Sequence, residues 1–196
     1  DSGTGGEIVI KAGTSSADAS GTGGKLTISS GSGTATSSGN LVLSTAESAV
    51  TGLVMLNSGD SSDGNSGALY IGSGTALSGR GGHVYLTVGS GNSGTGGELV
   101  LSAGESTFAT GTGGKVTITS GTGVDTTSGS LVLQTASSGY SGMIIMSTGA
   151  ATCGNSGAIY IGSGAGVSGR AGHVYLTAGS GDSGTGGELV MLGGVA

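Results

Sequence analysis

Few residues in this chain have types and spacings suited to chemistry. They are His83 and His173, the single cysteine Cys153, and an acidic turn holding Asp60, Asp63 and Asn65. The histidines lie 90 residues apart in sequence, which on stacked strand spacing is roughly 29 Å. They cannot share a metal ion, and zinc requires three or four converging ligands. Asp60, Asp63 and Asn65 in GDSSDGNSG offer the oxygens that calcium takes. Gly149, Thr152 and Asn155 stand at or beside the matching places further on, with both acids lost, so a solvated turn is the expectation. A serine nucleophile needs a base and an orienting acid, and no Ser, His and Asp set recurs at a spacing that would join them. GSGTGG and GRGGH look like phosphate-binding loops, but such loops need a helix whose N-terminus meets the phosphate. No helix pattern follows either string. The expectation is a chain with no catalytic residues, no metal and no cofactor.

Composition points the same way. The chain has 196 residues, 48 of them glycine, with no proline, no tryptophan and one phenylalanine, which is too little bulk for a thick core. Charged residues make up 8% and the net charge is −6, so there is no basic stripe to neutralise phosphates and nucleic acid is excluded as an expected partner. No apolar run approaches the roughly 18 residues that suggest a membrane span. With one cysteine there is no internal disulfide framework. The chain opens at Asp1 without an apolar leader, and so reads as a mature product or an excerpt.

Self-similarity organises everything else. Gly64 to Gly74 reads GNSGALYIGSG and Gly154 to Gly164 reads GNSGAIYIGSG; Ser78 to Val100 and Ser168 to Val190 differ at three places only. These are two copies of a 90-residue cassette, spanning about 1–91 and 92–181, with a third beginning at 182–196. Within them a short unit recurs: a polar or small residue, then aliphatic, variable, aliphatic, then Ser, Thr or Ala and Gly. Units open at Glu7, Lys25, Asn40, Gly52, Ala68, His83, Glu98, Lys115, Ser130, Gly142, Ala158, His173 and Glu188, thirteen in all and six per cassette.

Alternating apolar residues such as Ile8 and Ile10, or Leu26 and Ile28, are the signature of an extended strand with one shielded face. Apolar blocks of four bounded by glycine carry no sustained helical period, and glycine costs about 1 kcal/mol at a helical position. The predicted fold is therefore all-β: a β-solenoid of about thirteen short rungs, roughly 15 residues per coil and six rungs per 90-residue repeat, forming a single repetitive body over 1–196. A layout with coils of about 30 residues, pairing alternate units, competes with it. The opposite-charge order Glu7, Lys25 and then His83, Glu98, Lys115, continued by His173 and Glu188, favours neighbouring units as adjacent rungs, because stacking sets acid beside cation.

The third place of each unit is expected to face outward. It holds Val9, Thr27, Val42, Val54, Tyr70, Tyr85, Val100, Thr117, Val132, Ile144, Tyr160, Tyr175 and Val190, an apolar column of the kind that marks an interaction surface. The roughly 15-residue period resembles that of insect β-solenoid antifreeze proteins, with Thr27 in LTIS and Thr117 in VTITS as the comparable places. That resemblance implies binding to ice or a carbohydrate surface, although the four tyrosines break the flat threonine face it requires.

In composition the whole chain resembles glycine- and serine-rich repetitive proteins of extracellular fibres and adhesin shafts. The resemblance implies a structural protein, extracellular or at the cell surface, that assembles with itself end to end and laterally, with Ser and Thr offering O-glycan sites. Neither end carries a polar cap, so the expectation is a segment of a longer polypeptide or a subunit that stacks into a filament.

Overall fold

The structure is a computed structural model that describes residues 4–16 and 21–194. Most of the apolar blocks behave as the alternation requires of an extended chain; the first and last, at Ile8–Ile10 and Leu189–Met191, do not. In the block after Gly67, Leu69 is 55% exposed, Tyr70 92% and Ile71 71%. Successive side chains of an extended segment point to opposite sides, so the third residue stands outward and the second is the more shielded.

Between blocks the chain leaves, bends and returns to close on itself. Each return is made by the glycine directly before the next block, which comes against a small residue just after the previous one. A Cβ built on Gly24 would stand 3.1 Å from the Gly13 nitrogen and 3.4 Å from the Ala12 Cβ; on Gly82 it would stand 3.2 Å from the Ser73 Cβ. The first half of the chain repeats this pairing at Ser30 with Gly39, Thr45 with Gly52, Ser58 with Gly67 and Val88 with Gly97. The second half has it at Ala103 with Gly114, Ser120 with Gly129, Thr135 with Gly142, Thr148 with Gly157, Ser163 with Gly172 and Ala178 with Gly187. At the tighter closures, such as Gly24, Gly82, Gly97, Gly114 and Gly172, a Cβ would press on backbone or side chain, whereas at Gly39, Gly67 and Gly129 it would meet ordinary contact only.

Several closures carry a backbone hydrogen bond between glycines. Gly24 N–H donates to the Gly13 carbonyl at 2.8 Å, Gly114 to Gly104 at 2.8 Å, Gly129 to Gly121 at 2.9 Å and Gly187 to Gly179 at 2.8 Å. At two others the donor is a side chain: Ser73 Oγ reaches the Gly82 carbonyl at 2.8 Å, and Ser163 Oγ reaches Gly172 at 2.8 Å. These are loops whose ends meet, in the manner of Ω-loops. The partly shielded residues among those described, Ala12, Ser58, Ala103 and Ser120, are all closure residues. Sharp bends mark the loop tips, with Gly64 at φ 99° and its counterpart Gly154 at φ 103°.

The β-solenoid expected from the sequence is not what forms. Among the described residues there is neither strand nor helix, so no rung pairs with another and no sheet exists. The physical reason lies in the closures. A ladder needs two extended segments held about 4.8 Å apart along their length, whereas each closure joins the chain at one point. Side-chain alternation is a property of one extended segment, and it persists here without a neighbouring strand. The expected inward pairs accordingly stay in contact with solvent: no buried hydrophobic residue occurs among those described. The accessible surface is 19511 Å². A compact protein of this mass exposes about 8,000 Å², and two separate halves would expose about 10,000 Å².

The chain divides into two units, Asp1–Leu99 and Val100–Ala196. The first holds the closures from Ala12–Gly24 to Val88–Gly97, and the second those from Ala103–Gly114 to Ala178–Gly187. Each unit thus contains one full cassette's worth of closures.

Candidate functional site

The closures fix where each block starts, and therefore which residues share a side. In most units the closing glycine directly precedes the opening residue read from the sequence, as Gly82 precedes His83 and Gly97 precedes Glu98. In two units the closing glycines are Gly52 and Gly142 themselves, so those blocks run Leu53 to Leu56 and Met143 to Met146. Exposure agrees with this register: Val54 is 52% exposed against 68% for Met55. Val54 and Ile144 therefore lie on the shielded side, with Met55 and Ile145 outward.

The rest of the third-place column is exposed, as its neighbours are; Val9, at 69%, is less exposed than Ile8 at 89%, and Val190, at 57%, less than Met191 at 81%. Val9, Val42, Tyr70, Tyr85, Val100, Val132, Tyr160, Tyr175 and Val190 are all exposed, as are Thr27 and Thr117. The charged first places, Glu7, Lys25, His83, Glu98, Lys115, His173 and Glu188, are exposed as well. Except for Glu7, each directly follows a closing glycine.

The histidines meet aromatic rings. The His83 and Tyr85 rings stand 5.7 Å apart at 47°, and His173 and Tyr175 stand 5.7 Å apart at 53°. First and third places share one side of an extended segment, and the tilted arrangement is a favourable one for rings at this separation. The block before each histidine carries the other tyrosine, Tyr70 or Tyr160. Its link to the histidine block is closed by the hydroxyl of Ser73 or Ser163. Sequence reasoning missed both this role of the serine hydroxyls and the arginines, Arg80 and Arg170, three residues before each histidine. The signal was present in the repeated strings GRGGHVYL and GRAGHVYL.

The acidic turn is a bend at 62–64 in which Ser61 Oγ donates to the Asp63 carbonyl at 3.2 Å. Cys153 is exposed on the corresponding bend at 152–154. Among the described residues, no group of three or more His, Cys, Asp or Glu side chains converges as a metal site would need, and no cavity forms. No helix among them is long and apolar enough to cross a membrane.

No family model, curated protein or solved structure matches this chain.

Proposed function

We propose that the protein is structural material, a segment or subunit of an extracellular fibre whose apolar blocks are covered by other copies of the chain. The observation that carries this reading is the uniform exposure of those blocks: even Val174, among the most shielded of the large aliphatic residues, is 47% exposed. Fixing a residue's backbone costs about 1–2 kcal/mol, and burial of apolar surface is the main term that offsets it. A chain whose described residues bury none of their own gains that surface by covering it with a partner, and large exposed apolar patches mark interaction sites.

The occupant that fits is a second copy. Each block presents the same narrow aliphatic face between small residues, so like faces are complementary in size. Charge is sparse, at 8% of residues, and does not oppose their approach. First places carry Glu98 and Lys115 in successive units, and an offset of one unit between copies would set acid against cation. Exposed serine and threonine in the loops keep such an assembly hydrated and offer O-glycan sites. The reading assigns no catalysis to the chain.

Electron microscopy of the purified protein tests this. Fibres are expected, with an axial repeat set by one unit or by one 90-residue cassette. Dispersed particles at high concentration that depress ice growth would overturn the fibre in favour of an ice-binding surface.

A further inference from the structure

Both arginines, both histidines and four of the five tyrosines of this chain fall in two segments, 70–85 and 160–175. The two segments share one layout. Tyr70 is 92% exposed and Tyr85 81%, with Tyr160 at 94% and Tyr175 at 82%. The ring pairs repeat at the same 5.7 Å separation, and the same serine hydroxyl bond joins the blocks that carry them.

Charge sets these segments apart. No acid occurs between Asp63 and Glu98, or between Asp125 and Asp182. Each stretch has one arginine, so the remainder of a chain of net charge −6 carries −6 − 2 = −8. Two cationic, aromatic islands thus stand on an otherwise acidic protein.

We propose that each segment, carrying the His83–Tyr85 ring pair with Tyr70 and Arg80, or the His173–Tyr175 pair with Tyr160 and Arg170, binds a carboxylated polysaccharide. Exposed tyrosine faces stack on the apolar faces of sugar rings. The guanidinium pairs with a carboxylate in bidentate fashion. The ligand is a polymer rather than a small molecule because the described residues form no cavity to enclose one, and small ligands bind in concave sites. This inference stands apart from fibre formation, because it uses the outward rings and not the shielded aliphatic side.

The test is affinity electrophoresis of the full chain in gels containing alginate, dextran or polyuridylate. Migration is expressed relative to a ligand-free gel of the same variant, so any change in self-assembly is read separately in the ligand-free lane. Alginate is expected to retard the protein, less so as salt rises, while dextran has little effect. Tyr85→Ala with Tyr175→Ala should weaken retardation about tenfold, and Arg80→Gln with Arg170→Gln should weaken it and flatten the salt dependence. Tyr140→Ala, at an exposed ring outside both clusters, should change nothing. The proposal is overturned by no retardation in alginate, by equal retardation in dextran, by stronger retardation in polyuridylate, or by unchanged binding in the double tyrosine variant.

Discussion

The hydroxyl of Ser73 donates to the carbonyl of Gly82 at 2.8 Å, tying the end of one apolar block to the start of the next. Ser163 and Gly172 repeat the bond in the second unit, also at 2.8 Å. Elsewhere the same junction is closed by a glycine amide, as between Gly24 and Gly13. The element common to the closures is the approach of a glycine to a residue just after the previous block, most often a small one, and the hydrogen bonds seen there come from a glycine amide or a serine hydroxyl.

Removing the hydroxyl should open one junction and leave the others. Ser73→Ala is expected to cost about 1 kcal/mol locally. The measurement is hydrogen exchange through 74–82, which should quicken several-fold while exchange near Gly172 stays as it was. The paired variant Ser163→Ala should show the mirror image.

Glycine at a closure should be far less replaceable than glycine in a loop. Gly24→Ala places a Cβ 3.1 Å from the Gly13 nitrogen and 3.3 Å from its oxygen, so the bond at that closure must lengthen or break. Gly59→Ala meets nothing within 4 Å. Limited proteolysis should cut the loop before Gly24 faster in the first variant and leave the second at the wild-type rate.

Bend tips divide by backbone conformation. Gly64 and Gly154 have φ of 99° and 103°, a region that side chains rarely adopt, and alanine at either should cost about 1 kcal/mol or more. Asp125 and Ser168 hold φ of 59° and 61° despite their side chains. Asp125→Gly and Ser168→Gly should therefore be neutral to mildly stabilising for their loops, which amide exchange at the neighbouring residues would register.

These positions show how far the sequence could be read. Leu69, Tyr70 and Ile71 announce an extended segment with an outward tyrosine, and their exposures follow that order. Ladder formation was not legible, because alternation reports which way side chains point and says nothing of whether another strand lies alongside. The register at Leu53 to Leu56 was ambiguous for a related reason. Four apolar residues in a row satisfy the alternation in either frame, and what selects one is the closure of Gly52 on Thr45, whose methyl would stand 3.3 Å from a Cβ built on Gly52. The aromatic clusters escaped because His83 was weighed as a metal ligand or as part of a charge ladder, whereas its ring stands beside Tyr85.

The register also bears on assembly. If copies cover the shielded aliphatic side, charge at Val54 and Ile144 should oppose association more than charge at Met55 and Ile145, although all four are apolar and exposed. Met55 and Ile145, at 68% and 74%, are more exposed than Val54 and Ile144, at 52% and 54%, so loss of exposed apolar area alone would give the opposite order, and the predicted order identifies the side of the block that copies use.

Sedimentation velocity over a wide range of protein concentration tests self-association most directly. The wild-type chain should shift to large, concentration-dependent species, Val54→Asp with Ile144→Asp should remain small at the same concentrations, and Met55→Asp with Ile145→Asp should fall between them. A wild-type chain that sediments as a monomer of 18.0 kDa at every concentration would contradict the account.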